Sequence, residues 1–440
     1  LRSVIHDSRR VEPGALYACL RGDHFDGHDF AADAVRAGAT AVLCDHSLDD
    51  VGPVPQIVVD DTRRRIGPIA AVLADHPSRA LRTVGITGTN GKTTTAALMA
   101  SIFEAAQQPC GIVGTLYGRR TTPEAPELQA LLRCFVDEGK VAAVLEVSSH
   151  ALAMHRVDGT EFDAVVFTNL GHDHLDVHGS QEEYFRAKAR LFSSHFAGLG
   201  VINTDDTYGR LLADAAPDGT VDSRFRVVTY SLADLVDVEV SATAHRYVWR
   251  GRRVEVPLGG DFNVANSLAA LTTAVELGID PDVAVRGVAA LLPVPGRFEV
   301  IETDESVRRG ITVIVDFAHT PDGLAGVLRS ARAHVGPTGS LVVVFGCGGN
   351  RDRAKRALMG AEASRAADFV LITSDNPRQE SAEAIIDDIR QGIDRASNAR
   401  VDAILDRRDA IGKAISTASE GDVIVIAGKG HERTQEFADR

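Results

Sequence analysis

Thr83-Val84-Gly85-Ile86-Thr87-Gly88-Thr89-Asn90-Gly91-Lys92-Thr93-Thr94 is the stretch on which the reading of this chain turns. A short run rich in Val and Ile leads into two glycines and a Lys-Thr pair, and the helix-like stretch Thr94–Phe103 follows. Strand, turn and helix in that order bring glycine N–H groups and a helix N-terminus against the oxygens of a phosphate. In such a loop Lys92 reaches the outer phosphates of a nucleotide and Thr93 holds Mg2+. The strict eight-residue pattern asks for Gly at position 86, where Ile stands. A glycine turn with an incidental Lys-Thr pair is therefore the competing account, and the order of the elements favours the phosphate loop.

Similar apolar runs recur on either side: Ala142–Val147, Ala164–Phe167, Ile311–Val315, Leu341–Phe345, Asp368–Ile372 and Asp422–Ile426. They do not alternate with polar residues, which marks strands buried on both faces and hence parallel α/β sheets. Polar residues and glycines stand at or just past their ends: Glu146, Thr168-Asn169, Asp316, Gly346, Asp375-Asn376 and Gly428–Glu432. Open α/β sheets bind ligands beyond the carboxyl ends of their strands, so these are candidate site residues. His76-Pro77-Ser78 and Pro293-Val294-Pro295-Gly296 break the pattern. They predict three units, at 1–80, 81–296 and 297–440.

Composition narrows the function. The chain has 440 residues, 44% apolar and 25% charged, ordinary for a globular protein with sizeable cores. A net charge of −14 argues against bulk nucleic-acid or anionic-membrane binding. The segment Arg351, Arg353, Lys355, Arg356 is a local basic exception. Five scattered cysteines form no CxxC pair or zinc spacing and read as reduced thiols of a cytosolic protein. No apolar stretch is long enough to span a membrane, and the opening residues do not form a signal peptide.

Two further stretches carry chemistry. Glu146-Val147-Ser148-Ser149-His150 ends one run, and Thr168-Asn169-Leu170-Gly171-His172-Asp173-His174-Leu175-Asp176 follows another. Carboxylate, hydroxyl and imidazole near a phosphate loop suit Mg2+. Taken alone, His172, His174 and His178 read equally well as surface histidines. Lys188 lies in Tyr184-Phe185-Arg186-Ala187-Lys188-Ala189-Arg190-Leu191-Phe192, where helical spacing predicts Tyr184, Lys188 and Phe192 on one face. A desolvated lysine favours its neutral amine, which reacts with CO2 to give a metal-binding carbamate. From these residues alone, simple snorkelling of the lysine is the better account.

Taken together the motifs resemble those of the Mur ligase family, which builds the peptide of bacterial cell-wall precursors. They are Gly88–Thr94, Glu146–His150, Thr168–Asp176, the lysine helix, Gly260-Asp261-Phe262-Asn263-Val264-Ala265-Asn266, Pro295-Gly296-Arg297 and Asp316-Phe317-Ala318-His319-Thr320-Pro321, in family order over most of the chain. The resemblance implies three α/β domains: a UDP-substrate-binding domain, a central P-loop-type parallel-sheet ATPase domain and a C-terminal Rossmann-like domain for the incoming amino acid. It also implies that Lys188 is carbamylated and that Thr93, Glu146, His174 and Lys188 hold Mg2+. The catalytic residues it implies are Lys92, Lys188 and His174. For ATP it implies Gly88, Thr89, Asn90, Gly91, Lys92, Thr93, Thr94, Asn263, Asn266, Arg297 and Asp316.

Further stretches resemble the family members that add the third residue of the peptide. These are His6-Asp7-Ser8-Arg9, Thr121-Thr122-Pro123-Glu124, Phe345–Asp352, Asp375-Asn376-Pro377-Arg378 and Gly428–Glu432. The implied partner is UDP-N-acetylmuramoyl-L-alanyl-D-glutamate, on Ser8, Asp23, His24, Phe25, Thr121, Thr122, Ser148, Met154 and Arg156. The implied amino acid is meso-diaminopimelate, on Arg351, Asp375, Asn376, Pro377, Arg378, Gly428 and Glu432. L-Lysine is the alternative. The expected activity is ATP-dependent amide ligation through an acyl phosphate, by a cytoplasmic monomer with no nucleic-acid partner and no membrane insertion. A P-loop kinase or NTPase would need no amino-acid pocket, and a non-catalytic nucleotide-binding module would not need Lys92, Glu146, His174 and Lys188 together. Folylpolyglutamate synthase-like relatives lack the unit before residue 80. Asn350 departs from the Asp usual at its position, Ala357 from the usual Pro, and the link Gly114–Arg120 is short.

Overall fold

The computed structural model describes residues 1–22, 25–215 and 225–438. Asp23 and His24 lie outside the described residues. Four sheets follow one another along the chain. The first holds four parallel strands in chain order, β1 Ser3–Ile5, β2 Ala15–Ala18, β3 Ala41–Cys44 and β4 Gln56–Val58. The helix Thr62–Leu73 follows, N-capped by Asp61.

The second sheet is wholly parallel. Its strands are β5 Arg82–Thr87, β6 Cys110–Val113, β7 Ala142–Glu146, β8 Ala164–Phe167, β9 Leu199–Asn203 and β10 Arg226–Tyr230, in the spatial order β10-β9-β8-β5-β7-β6. β7 is buried at all five positions, as its unbroken apolar run predicts. From β5 the chain runs to one side through β6 and β7, then to the other through β8, β9 and β10. That reversal opens a crevice past the carboxyl end of β5, between β7 and β8. The phosphate loop, Glu146 and Thr168-Asn169 therefore meet at one point for a topological reason.

A small antiparallel sheet comes next, β11 Val236–Val240, β12 His245–Trp249 and β13 Arg252–Val256. The sequence reading did not anticipate it, since its short alternating strands differ from the continuous runs sought. β12 and β13 meet at Arg250-Gly251, whose φ values of 48° and 76° make a two-residue hairpin turn. Tyr247, Trp249, Val254 and Val256 pack into one core with the helix Phe262–Glu276.

The fourth sheet has β14 Glu299–Val300, β15 Thr312–Asp316, β16 Leu341–Phe345, β17 Phe369–Ile372, β18 Arg400–Ala403 and β19 Val423–Ala427, in the order β14-β15-β19-β16-β17-β18. Only β14 is antiparallel. All seven expected apolar runs fall on strands of the second and fourth sheets. One expectation fails: the lysine helix spans Gln181–Ala189, so Phe192 is not on it. Phe192 packs edge-on against Phe167 and Phe225, and the stripe reduces to Tyr184 and Lys188. No described helix is long and apolar enough to cross a membrane.

Candidate active site

A single cleft of about 750 Å³ runs from the phosphate loop to the carboxyl ends of the fourth sheet. At its head Gly91, at φ 87°, opens the helix Lys92–Ala105. A Cβ there would lie 2.3 Å from Asn266 Oδ1, and one at Gly88 would lie 1.9 Å from Thr168 Oγ1. Only glycine fits either place. The loop is pinned from below: the Thr168 hydroxyl donates to Asn90 O (2.6 Å), the Asn90 N–H donates to Asn169 Oδ1 (2.9 Å), and the Thr89 N–H donates to Asn169 O (2.9 Å). Lys92 Nζ donates to Gly88 O (2.8 Å) and Thr89 O (2.9 Å). Desolvation pushes its pKa down, against the opposing pull of Glu146.

Thr93 and Glu146 form the next layer. Thr93 Oγ1 donates to Glu146 Oε2 (2.9 Å) and accepts from Arg297 Nη2 (3.0 Å). Thr115 adds its N–H to Glu146 Oε1 (2.9 Å) and its hydroxyl to Oε2 (3.1 Å). Glu146 is fully buried. These hydroxyl and carboxylate oxygens are the hard donors that Mg2+ prefers, so this half of the expected metal set fits the ion. The other half sits across Tyr184. Lys188, 1% exposed, lies 4.7 Å over the Tyr184 ring and donates to Gly88 O (2.9 Å). Burial, and then Lys92, hold its pKa well below the ordinary lysine value. His174, at φ 55°, stands edge-on to the same ring at 6.0 Å. Desolvation, with Lys188 and Lys92 adding to it, pushes its imidazole down to about 3.

The far end of the cleft is lined by Arg351, Asp375, Asn376, Arg378, Gly428 and Glu432. Glu432 Oε2 accepts from Asn376 Nδ2 (3.0 Å) and Lys429 Nζ (2.7 Å). Arg378, at φ 53°, donates from Nη1 to Gly349 O (2.8 Å) and from Nε to Glu436 Oε2 (2.8 Å). Arg351 has no hydrogen bond or ion pair among the described residues. The phosphate loop, the Thr93–Glu146 pair and the far end with Arg351 and Arg378 thus share one space, which suits transfer of a phosphoryl group followed by attack of an amine.

Three family profiles match in order. They are the Mur ligase family, catalytic domain over residues 1–73, the Mur ligase middle domain over 86–274 and the Mur ligase, glutamate ligase domain over 296–430. The chain belongs to the Mur ligase family. It is 41% identical over 453 residues to the UDP-N-acetylmuramoyl-L-alanyl-D-glutamate--2,6-diaminopimelate ligase of Aquifex aeolicus (strain VF5), covering 99% of this chain and 90% of that protein. It is 42% identical to the Streptomyces coelicolor protein of the same name, over 100% of this chain and 89% of the other. A solved structure of a ligase of that name aligns with a TM-score of 0.68 at 37% identity, over 100% of this chain and 91% of that one. The MurF ligase from Thermotoga maritima in complex with ADP aligns at 0.68 and 19% identity, over 98% and 94% of the two chains, which shows the shared fold.

Not every residue expected at the site of this Mur ligase reaches the cleft. Asn263 is fully buried behind Asn266, accepting from its amide (2.8 Å) and donating to Gly259 O (2.7 Å). Asp316 does line the cleft, though largely buried, and its carboxylate accepts the N–H groups of Phe298 and Ala318, both at 2.7 Å. Burial pushes its carboxyl pKa up. Thr121 and Ser148 line the cleft, whereas Thr122, Met154, Arg156 and Pro377 do not. Thr122 is tied to Glu146 O (2.8 Å), and Arg156 pairs with Glu124 (2.8 Å). Ser8 and the 73% exposed Phe25 belong to the first sheet's surface, away from the cleft lining.

The basic segment is less free than its composition implies. Arg353 and Arg356 pair with Asp388, Arg356 also with Glu380, and Lys355 faces Asp173 at 3.8 Å. The sequence reading gave no role to Thr115, Asp173 or Lys355. Asp173 lies inside a quoted motif and Lys355 inside the basic segment. Thr115 carries no signal short of the fold that sets it beside Glu146.

Proposed function

We propose that this Mur ligase uses ATP to join meso-2,6-diaminopimelate to UDP-N-acetylmuramoyl-L-alanyl-D-glutamate in peptidoglycan precursor synthesis. The observation that carries the reading is the continuity of the cleft: the phosphate loop and the cationic end with Arg351 and Arg378 line one space. The near full-length relatives bear the name of that ligase.

The chemistry follows from the substrate. A carboxylate is a poor acylating agent, so its oxygen first attacks the γ-phosphorus of ATP, breaking the bond to ADP and forming an acyl phosphate. The amine then attacks the acyl carbon, the carbon–oxygen bond to phosphate breaks, and the amine's proton leaves. Phosphoryl transfer depends on positioning and charge neutralisation. Lys92 is the cation for the outer phosphates, and the loop N–H groups around Gly91 hold their oxygens. Thr93 and Glu146, with His174 and a carbamylated Lys188, are the residues that hold Mg2+. The ion supplies Lewis-acid stabilisation of phosphate charge when bound. Arg297 donates to Thr93 from the far side of the break at residue 296, so it links the loop to the C-terminal unit. We assign Ser8 and Thr121, Thr122, Ser148, Met154 and Arg156 to the UDP-linked substrate, and divide the chain into units 1–80, 81–296 and 297–440.

The five cysteines are all free, which fits a reducing compartment. The test is ADP release with the UDP-linked dipeptide and a panel of amino acids. Release dependent on meso-diaminopimelate is expected. Release that needs no amine, or that prefers L-lysine, overturns the reading.

A further inference from the structure

Two arginines are buried among the described residues, Arg356 and Arg407, and they are treated differently. Arg356 meets two carboxylates, Glu380 and Asp388, each at 2.9 Å. Arg407, 6% exposed, has no ion-pair partner among the described residues. Its Nη2 donates to Ala427 O at 2.7 Å, and Nη1 reaches Ser374 O at 3.5 Å. Carbonyls satisfy its hydrogen-bond donors, and Asp375 and Glu432 favour its charge only from beyond ion-pair distance, so burial still pushes its pKa down.

Arg407 lines a second concavity, of about 430 Å³. Arg408, Lys429 and Arg433 also line it, with the hydroxyl-bearing Thr434. Neither Arg408 nor Arg433 forms an ion pair among the described residues. The one carboxylate in the lining, Glu432, is engaged by Lys429 (2.7 Å) and Asn376 (3.0 Å). Four cations against one committed carboxylate is anomalous on a chain of net charge −14. The helix Arg407–Thr417 begins here, but Asp406 already caps it by accepting the Asp409 N–H (3.0 Å). The case thus rests on three guanidinium groups, Arg407, Arg408 and Arg433, that form no ion pair among the described residues, not on the helix end.

We infer that this concavity binds an oxyanion of the phosphate class, either free inorganic phosphate or the phosphate of a nucleotide. Arg407 receives it from the buried side, and Arg408 and Arg433 close on it from the rim. A planar carboxylate is satisfied by a single guanidinium fork, whereas several guanidinium groups suit a tetrahedral, multiply charged anion. The site is separate from the phosphate loop, which lines the other cleft, and it shares Glu432 with that cleft's far end.

The test is isothermal titration of the full chain with inorganic phosphate, on the wild type, Lys92→Ala and the surface double variant Arg408→Glu/Arg433→Glu. Lys92→Ala is expected to keep phosphate binding at this concavity, whatever it loses at the phosphate loop. The double variant is expected to lose at least about tenfold in affinity, the effect of removing charge-assisted contacts. Its thermal midpoint is expected to match wild type, which separates loss of a site from loss of fold. A competing titration with ADP identifies the source: displacement of phosphate in Lys92→Ala points to a nucleotide, and no displacement points to the free ion. Undiminished binding by the double variant overturns the inference. So does loss of all phosphate binding in Lys92→Ala, or no binding to the wild type.

Discussion

At the nucleotide end of the cleft the polar groups are already held in place by near neighbours. Lys92 rests on Gly88 O and Thr89 O, Thr93 on Glu146, and the loop's N–H groups on Asn169. At the amino-acid end the groups come from three separate loops, after β16, β17 and β19, and are less firmly committed. Arg351 has no partner among the described residues, and Arg378 leans on Glu436, whose side chain is 62% exposed. One end is set by backbone geometry at the carboxyl ends of three neighbouring strands, β5, β7 and β8. The other depends on side chains placed by the whole fourth sheet. A substitution at the first end should therefore remove chemistry, and one at the second should change which amino acid is chosen.

Lys92→Ala should give the largest effect. Its ammonium is the one loop cation aimed at the outer phosphates, and loss of such a group costs roughly a hundred- to thousandfold in kcat. Stability should be nearly unchanged, because burial already disfavours the charge. Ligase turnover near wild type, measured as ADP release, would refute the assignment of this end. Lys188→Ala comes next. The amine is sealed from solvent and its pKa is held low, so the neutral form that takes up CO2 is favoured. Activity should fall by about a hundredfold or more, as for loss of a positioned charge. A small carboxylic acid should restore part of it. Failure of rescue, together with no carbamate signal in protein equilibrated with 13C-labelled bicarbonate, would leave Lys188 as a structural amine.

The same contrast explains what was legible in the sequence. The phosphate loop and the runs at β5, β7, β8, β15, β16, β17 and β19 could be read because local pattern dictates local structure. The meeting of Glu146 and Thr168-Asn169 at the loop followed from strand ends alone. Less was legible where placement depends on contacts far apart in the chain. Asn263 reads like Asn266 in one motif, yet helical phase turns it inward, where it holds its neighbour. Phe192 reads as the third member of a stripe, but the helix stops at Ala189. The basic segment reads as a cationic pocket, but Glu380 and Asp388 pair with Arg353 and Arg356, and Asp173 faces Lys355, which leaves Arg351. The sheet β11–β13 was missed because its strands are short and half exposed.

Arg378→Ala tests the amino-acid end directly. Diaminopimelate carries a distal carboxylate that lysine lacks, and a guanidinium pairs with it through two parallel hydrogen bonds. The variant should keep kcat for diaminopimelate within a few-fold and lose discrimination against L-lysine. The wild-type preference, roughly a hundredfold or more for an unpaired polar group, should shrink towards unity. If kcat/KM still favours diaminopimelate as strongly as before, Arg351 or another group is the selecting cation.

The smallest effect is expected at Glu436, and it is the most informative about how the second end works. Its carboxylate sits on Arg378 Nε at 2.8 Å, on the guanidinium that we assign to the substrate's distal carboxylate. Glu436 thus occupies part of the position a substrate carboxylate needs, and must give way when diaminopimelate binds. The pair is exposed enough to be worth at most about 1 kcal/mol. Its removal should not release Arg378, because Nη1 still donates to Gly349 O at 2.8 Å and the Arg378 N–H to Glu436 O at 3.0 Å. Glu436→Ala should therefore lower KM for diaminopimelate by up to about fivefold, the equivalent of that free energy. kcat and the KM for L-lysine should stay as they are. Glu436→Gln keeps the size of the side chain without its charge, and should act in the same direction. A rise in KM for diaminopimelate in both variants would show the reverse role: Glu436 would be a strut that holds Arg378 in place, and the far end would be as preset as the phosphate loop.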